Sequence, residues 1–312
     1  MTVRGTFVSV AASAALGACG SPARDGDSGF DNVTATAGEP TGGDDARADE
    51  SDEGSADDGS GAPPTMLDVG HDPDQPPPEM CDQDVDVVFV MDVSTTMGPF
   101  LATLSDEILA VDEALAGYDL PSAPHYGLAV FVDDAALLNT GTPYADVTGL
   151  QADFVTWGNF TASNQQVGGG NSNSTWEENS LDALALAAAG FQWRPAETTL
   201  RVIIHTTDDT FWDGPTTGNG VSIVNSYADT VDALQGSQIR VFSFADDIGG
   251  SCECEDVTSG WSTPYMGAPS IPEATDGGVF AIGQILSGAV SLSDAIASSV
   301  ESSICDPYDP VG

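Results

Sequence analysis

The sequence predicts an α/β fold in which a doubly wound, mostly parallel sheet is flanked by helices. Short runs of β-branched and apolar residues alternate with segments whose apolar residues recur at helical spacing. The first run, Val87–Met91, is apolar at every position, as expected for a strand that is buried on both faces. Oxygen-bearing residues follow this run directly, and ligands bind at the carboxyl ends of strands in such sheets.

The first helix and the second strand come next. Apolar residues at helical spacing predict a helix over Phe100–Ala116, and Pro99 suits its first turn. Tyr126–Val132 is a second apolar run and predicts another strand. Ala135–Thr148 has turn residues near its middle and predicts a hairpin at the edge of the sheet.

Long polar loops separate the elements of the second half. Gly158–Ser174 contains three consecutive glycines and little apolar surface, and such loops are often functional. In the loop at Phe211–Gly220, we expect the aromatic residues to cover the core, although they could also hold a ligand. The remaining predicted elements are a helix at 181–189, a strand at Leu200–His205 with its histidine buried, a helix at Val221–Leu234, strands at Ile239–Phe244 and Val279–Ile282, and a closing helix at Leu292–Ile304.

The charge of the chain excludes several classes of partner. Its 312 residues include 49 acidic and only 6 basic side chains, and the formal net charge is −43. Such a field repels nucleic acid and anionic lipid surfaces and concentrates cations near the protein. We therefore expect no nucleic-acid binding, and we expect contact with a membrane only through a covalent anchor.

The chain divides into four predicted parts. Residues 1–18 combine one arginine, a short apolar run and small residues, which is typical of an export signal. The end of this segment, Leu16–Cys19, resembles the lipobox of bacterial lipoproteins, which implies lipidation of Cys19; the alternative is an ordinary signal peptide with a nearby cysteine. Residues 19–80 are predicted to be a disordered acidic linker, residues 81–307 the α/β domain and residues 308–312 a tail. By the same resemblance, Gly20 favours an outer-membrane lipoprotein of the bacterial envelope, facing the periplasm or the cell surface.

Four cysteines remain once Cys19 is set aside, and an exported chain with an even number of cysteines is expected to form disulfides. The two ends of an α/β domain of this type should come close together, so we favour a Cys81–Cys305 bridge, which would contribute about 2–5 kcal/mol. Cys252 and Cys254 would then pair with each other. The cross-paired arrangements stay open.

A divalent cation site is predicted at the end of the first strand. Asp92, Ser94 and Thr96 lie at alternate positions directly after the apolar run, and Mg²⁺, Mn²⁺ and Ca²⁺ prefer oxygen ligands of this kind. The pattern resembles the metal-ion-dependent adhesion site of von Willebrand factor type A domains. A haloacid-dehalogenase phosphatase would instead require a second aspartate in place of Ser94.

Two later segments extend this resemblance, which covers Asp84 to Cys305. In Thr175–Leu184, Glu178 matches the glutamate that reaches the metal in integrin β-subunit inserted domains. In Leu200–Asp209, Asp208 matches the last metal-site aspartate. An alignment closer to ordinary type A domains would use Thr175 instead of Glu178. The resemblance implies a Rossmann-like von Willebrand factor A fold and a metal site formed by these ligands. One coordination position of the metal would be left for a carboxylate of a partner.

Three functions remain compatible with these residues. We favour a surface lipoprotein that binds a protein or matrix ligand through the cation. A hydrolase that uses the cation to activate water is an alternative, and Asp209 and Asp133 are its only candidates for a second catalytic carboxylate. The other alternative is a structural envelope protein whose domain binds no metal. No histidine falls beside a serine or cysteine in a known catalytic motif, so we predict that the chain is not an enzyme.

Overall fold

Eight strands alternate with seven helices in the part of the chain that the computed structural model describes, residues 82–246 and 256–311. The strands are β1 (Asp84–Asp92), β2 (His125–Phe131), β3 (Ala135–Leu137), β4 (Thr199–Thr207), β5 (Thr216–Gly218), β6 (Val221–Ile223), β7 (Ile239–Ala245) and β8 (Gly278–Ala281). Six of them form one sheet in the order β3-β2-β1-β4-β7-β8, and only β3 runs antiparallel to its neighbour. The short strands β5 and β6 form a separate hairpin. The predicted mostly parallel α/β fold is confirmed.

Helices cover both faces of this sheet. They are α1 (Gly98–Ala116), α2 (Val147–Phe160), α3 (Ser180–Gly190), α4 (Tyr227–Gly236), α5 (Ile271–Ala274), α6 (Ile282–Leu286) and α7 (Leu292–Ser303). Alternate residues of β1 divide between the two faces: Phe89 packs with α1, α2, α6 and α7, whereas Val88 packs with α3, α4 and α5. Because both faces of β1 are buried, the strand is apolar at consecutive positions.

One predicted element is wrong. The segment Ala135–Thr148 is not a complete hairpin, because only β3 pairs with β2. Helix α2 (Val147–Phe160) then occupies residues that were assigned to the hairpin and to the predicted polar segment Gly158–Ser174. It begins after Asp146, whose Oδ1 accepts a hydrogen bond from the backbone N–H of Gly149 at 3.1 Å. Leu150 and Phe154, four residues apart, bury themselves in the core, and Phe154 meets Phe89 edge-on with the ring centroids 5.2 Å apart.

The helix predicted over Val221–Leu234 begins later than expected. Val221–Ile223 is strand β6, and helix α4 begins only after Ser226. The Ser226 side chain accepts from the backbone N–H of Asp229, while the Asp229 carboxylate accepts from the backbone N–H of Ser226 at 3.1 Å. This capping box satisfies N–H groups at the start of the helix and therefore fixes where it begins.

All three arginines of the described residues lie at the amino edge of the sheet, opposite the carboxyl ends of the parallel strands. Arg194 donates to both oxygens of the fully buried Asp86, at 2.7 Å each, through its backbone N–H and its Nε. Arg201 donates to backbone carbonyls, including that of Ser237 at 2.7 Å. Arg240 is buried and pairs with Asp276. The positive charges of these three arginine side chains are therefore engaged by groups of the domain itself.

The last described segment returns to the same edge. The backbone N–H of Cys305 donates to the side chain of Gln83 at 3.1 Å, so the two ends of the domain meet, as the predicted Cys81–Cys305 bridge requires. Cys305 forms a disulfide, and its partner lies outside the described residues, as do Cys19, Cys81, Cys252 and Cys254. In the described ranges no helix combines the length and the apolar character needed to cross a membrane.

Candidate metal centre

The last residue of β1, Asp92, and the turn that follows it bring the predicted Asp92, Ser94 and Thr96 together at the carboxyl edge of the sheet. Asp92 is fully buried, and its Oδ1 accepts a hydrogen bond from the backbone N–H of Ser94 at 2.7 Å. The Oγ of Ser94 lies 3.4 Å from the Oγ1 of Thr96. Ser94 is buried and Thr96 is exposed, so this turn runs from the interior to the surface.

Glu178 reaches the same edge from the segment that precedes α3. Its backbone N–H donates to the carbonyl of Thr210 at 2.9 Å, and its carbonyl accepts from the N–H of Trp212 at 3.0 Å, which fixes it beside the loop after β4. Its fully buried carboxylate accepts one hydrogen bond at Oε1, from Asn173 at 2.8 Å. Its Oε2 is buried and receives no hydrogen bond from the described residues. A buried carboxylate oxygen in this state is costly and is available as a cation ligand.

The loop after β4 brings two consecutive aspartates close to Asp92. Thr207 donates through Oγ1 to the Oδ2 of Asp92 at 3.0 Å, and the same Oγ1 accepts from the backbone N–H of Asp209 at 3.1 Å. Asp209 is buried, whereas Asp208 is half-buried. Thr207 therefore joins the end of β4 to the end of β1 through one hydroxyl group.

Three buried carboxylates from three different loops form the centre of the site. Asp92, Glu178 and Asp209 each offer one oxygen, and these oxygens all lie within 4.8 Å of one another. Burial, followed by the charge of Asp208, raises the pKa of Asp92 from 3.8 to about 7. Burial, followed by the charges of Asp92 and Asp209, raises the pKa of Glu178 well above its ordinary value. The ionised form of each carboxyl group is therefore disfavoured by its burial and by the negative charges of its neighbours.

This donor set fits a hard divalent cation. Such cations take carboxylate and hydroxyl oxygens, and the three carboxylates supply charge beside the neutral oxygen of Ser94. The ligands project from the loops after β1, before α3 and after β4, at the carboxyl edge of a sheet with one antiparallel edge strand. The architecture is a doubly wound α/β fold with this polar site at the carboxyl edge of its sheet.

Comparisons with known proteins returned solved structures of low sequence identity. No protein-family model matches the sequence, and no curated protein matches it. A structure of an aerotolerance-related membrane protein from Bacteroides fragilis is 16% identical, with 70% of this chain and 98% of that chain covered and a TM-score of 0.39. Proximal thread matrix protein 1 from the mussel byssus, with a zinc-occupied MIDAS motif, is 14% identical over 69% of this chain and 46% of its own, with a TM-score of 0.40. The pilus adhesin SpaC from Lactobacillus rhamnosus GG is 11% identical over 69% and 31%, with a TM-score of 0.43.

The long polar segment beside the candidate metal centre is folded. We call residues 164–175 the polar loop. Gln165 and Ser172 form an antiparallel bridge across it, and the backbone N–H groups of Val167 and Gly168 donate to the two carboxylate oxygens of Asp134 at 2.6 and 2.8 Å. Glycine at 169 suits the tip because its φ is +74°. The polar loop therefore forms a fixed wall of the site.

The first loop contacts the polar loop through Asn164. Thr95 donates through Oγ1 to the Oδ1 of Asn164 at 2.9 Å, and the Nδ2 of Asn164 donates to the carbonyl of Asn173 at 3.2 Å. Because Asn173 in turn holds the carboxylate of Glu178, a chain of hydrogen bonds joins the first loop to the glutamate.

Of the two aromatic residues after β4, Phe211 packs in the core, as expected, whereas Trp212 is half-buried against Gly218 of the β5–β6 hairpin. Phe211 is buried, with its ring centroid 5.7 Å from that of Tyr227 and 5.3 Å from that of Trp261. His205 is also buried, and its Nδ1 lies 3.1 Å from the Oγ of Ser243. Burial lowers the pKa of His205 to about 3, so this histidine is neutral.

The cluster of carboxylates contains Asp209 where the sequence predicted Asp208, and Thr175, the alternative to Glu178, is not part of it. Asp209 is its third carboxylate, whereas the resemblance selected Asp208, which is near enough to affect the pKa of Asp92. Thr175, the alternative to Glu178, donates instead to the Oδ1 of Asp133 at 3.1 Å. Sequence reasoning did not find the roles of Thr207 and Asn173, because both depend on contacts with other segments. The paired aspartates were the only signal that pointed to Asp209.

Proposed function

We propose that this protein binds a partner through a divalent cation held by Asp92, Glu178 and Asp209, with Ser94 and Thr96 as neutral oxygen ligands. The observation that carries the proposal is the buried cluster of three carboxylates whose oxygens lie within 4.8 Å of one another. A divalent cation bound there supplies an electrophilic position for an incoming carboxylate oxygen. In this assignment Asp208 stands outside the direct ligands, and Glu178 is preferred over Thr175.

The geometry supports binding more than hydrolysis. A metal-dependent hydrolase needs a carboxylate that is free to take a proton from water. Of the two candidates, Asp209 belongs to the cluster, and Asp133 accepts hydrogen bonds at both oxygens, from Thr175 at 3.1 Å and from Asn219 at 2.6 Å. A general base with both oxygens engaged is poorly placed to accept a proton.

The proposed setting is the bacterial cell envelope. Here the protein is a lipoprotein anchored through Cys19, and the domain meets a protein or matrix ligand that presents a carboxylate. The excess of acidic side chains over the whole chain supports this choice, since it favours cation binding and disfavours nucleic acid and anionic lipid as direct partners.

Thermal unfolding of the full chain tests the metal. The melting temperature is measured in EDTA and then with Mg²⁺, Mn²⁺ or Ca²⁺ in excess, for the wild type, Asp92→Ala and the control Asp232→Ala, whose side chain is exposed on α4. We expect at least one cation to raise the melting temperature of the wild type and the control but not that of Asp92→Ala. If none of the cations changes the wild-type melt, the proposal fails and a structural envelope role without metal takes its place.

A further inference from the structure

Asn219 lies where three segments meet beside the candidate metal centre. It occupies the turn between β5 and β6, in an Asn-Gly pair in which both residues have left-handed backbone angles, φ +43° and +84°. Asparagine and glycine are the residues that adopt this conformation most readily. The turn explains why an asparagine or a glycine is needed at 219, but it does not explain the contacts that the asparagine side chain makes.

Those contacts fasten the hairpin to two other segments. The Nδ2 of Asn219 donates to the Oδ2 of Asp133 at 2.6 Å and to the carbonyl of Ser172 at 2.8 Å. Its own carbonyl accepts from the side-chain amides of Gln166 at 3.0 Å and Asn171 at 3.1 Å. A single residue therefore makes four hydrogen bonds, one to the turn after β2 and three to the polar loop.

Asp133 is the buried point on which these segments converge. It is fully buried, and its carboxylate accepts from Thr175 at 3.1 Å on one oxygen and from Asn219 and Gln166 on the other. All of these donors are neutral amides or a hydroxyl, so the charge of Asp133 stays buried without a cationic partner among the described residues. Such a carboxylate depends on every donor it has, which makes Asn219, with the shortest of these bonds, important for its position.

The polar loop that Asn219 holds is also the segment that orients Glu178. Asn173, at the end of this loop, donates to the Oε1 of Glu178 at 2.8 Å, and the Oδ1 of Asn173 accepts from the backbone N–H of Thr175 at 3.3 Å. Displacement of the loop would therefore turn the Glu178 carboxylate away from Asp92 and Asp209.

We propose that Asn219 is a positioning residue of the metal centre: by fixing the polar loop to Asp133, it holds Glu178 in the geometry that binds the cation. This inference rests on the proposed function. Outer groups that orient metal ligands typically change metal affinity by about 10–100-fold when they are removed.

The test compares Asn219→Gly with Asn139→Gly in the full chain. Glycine keeps the left-handed backbone and the carbonyl acceptor of residue 219 and removes only the side-chain donor. Asn139 is exposed after β3 and also has a positive φ, +52°. Asn139→Gly therefore increases the conformational entropy of the unfolded chain as much as Asn219→Gly does. The affinities for Mg²⁺, Mn²⁺ and Ca²⁺ are measured by titration calorimetry, and hydrogen exchange of the polar loop is measured in EDTA.

We expect Asn219→Gly to bind the cations about tenfold more weakly and to exchange faster across the polar loop, whereas Asn139→Gly matches the wild type in both. Equal cation affinity of Asn219→Gly and the wild type would overturn the positioning role while leaving the proposed function intact. Equal hydrogen-exchange rates in the polar loop would show that the Asn219 side chain does not hold this loop in place. If the wild type binds none of the three cations, the proposed function and this inference fail together.

Discussion

Replacement of Asp209 by asparagine is expected to change stability in opposite directions with and without a divalent cation. In EDTA, two ionised carboxylates whose oxygens lie within 4.8 Å of each other repel by about 3.5 kcal/mol or more at an effective dielectric constant near 20. Asp209→Asn removes this repulsion on Glu178, so the metal-free variant should unfold at a higher temperature than the wild type. With the cation at about 100 times its dissociation constant, the wild type should gain about 2.7 kcal/mol, or roughly 5–11 °C, and the variant should lose most of that gain.

The assay is thermal unfolding of the full chain at pH 8, in EDTA and in excess Mn²⁺, with Asp208→Asn as the matched control. At this pH the carboxyl of Asp92, whose pKa is about 7, is largely ionised. Because Asp208 lies outside the cluster, its variant should keep most of the cation-dependent rise. The reasoning is refuted if Asp209→Asn keeps the full rise and Asp208→Asn loses it, which would make Asp208 the ligand.

Two further predictions concern the framework of the fold. Burial lowers the pKa of His205 from 6.5 to about 3, so the stability that depends on its neutral form is present above pH 6.5 and is lost as the pH falls towards 3, by up to about 5 kcal/mol. Urea unfolding in EDTA between pH 7 and pH 4 should therefore show a steeper loss for the wild type than for His205→Gln, and equal slopes would contradict this. Arg194→Ala leaves the fully buried Asp86 without its ion pair and should lower the free energy of unfolding by about 3–5 kcal/mol. Asp86→Asn in the same background should recover part of that loss, and a loss below about 1 kcal/mol for Arg194→Ala alone would show that the pair is not needed.

The central strands could be predicted from the sequence because burial on both faces forces an unusual pattern. β1 is apolar at consecutive positions, and few other environments require this. Helix α2 was missed for the opposite reason. It contains Gly149, Gly158 and several β-branched residues, which are weak helix formers, and within it Leu150 and Phe154 are the only fully buried apolar residues. Its stability comes from tertiary packing, which local patterns do not report.

The candidate site shows the same division between local and long-range information. Asp92, Ser94 and Thr96 are close in sequence, so one turn brings them together and the motif is visible. The choice between Asp208 and Asp209 depends on which of two adjacent side chains turns towards Asp92. A shift of one residue in the alignment therefore changes the predicted ligand. The bonds from Asn219 to Asp133 and Ser172 join residues more than 40 positions apart, and no local pattern encodes them.

The position of the arginines has a mechanical consequence. A force between a ligand at Asp92 and the point where the chain enters the domain at Asp84 acts along β1 itself. β1 pairs in parallel with β2 and β4 over most of its length, so such a pull would load the hydrogen bonds on both sides together, in shear, rather than one at a time. Arg194 binds Asp84 and Asp86 at the loaded end and would resist peeling of the first residues. Tension between Asp84 and Asp92 would therefore be resisted by both neighbours of β1 and by Arg194.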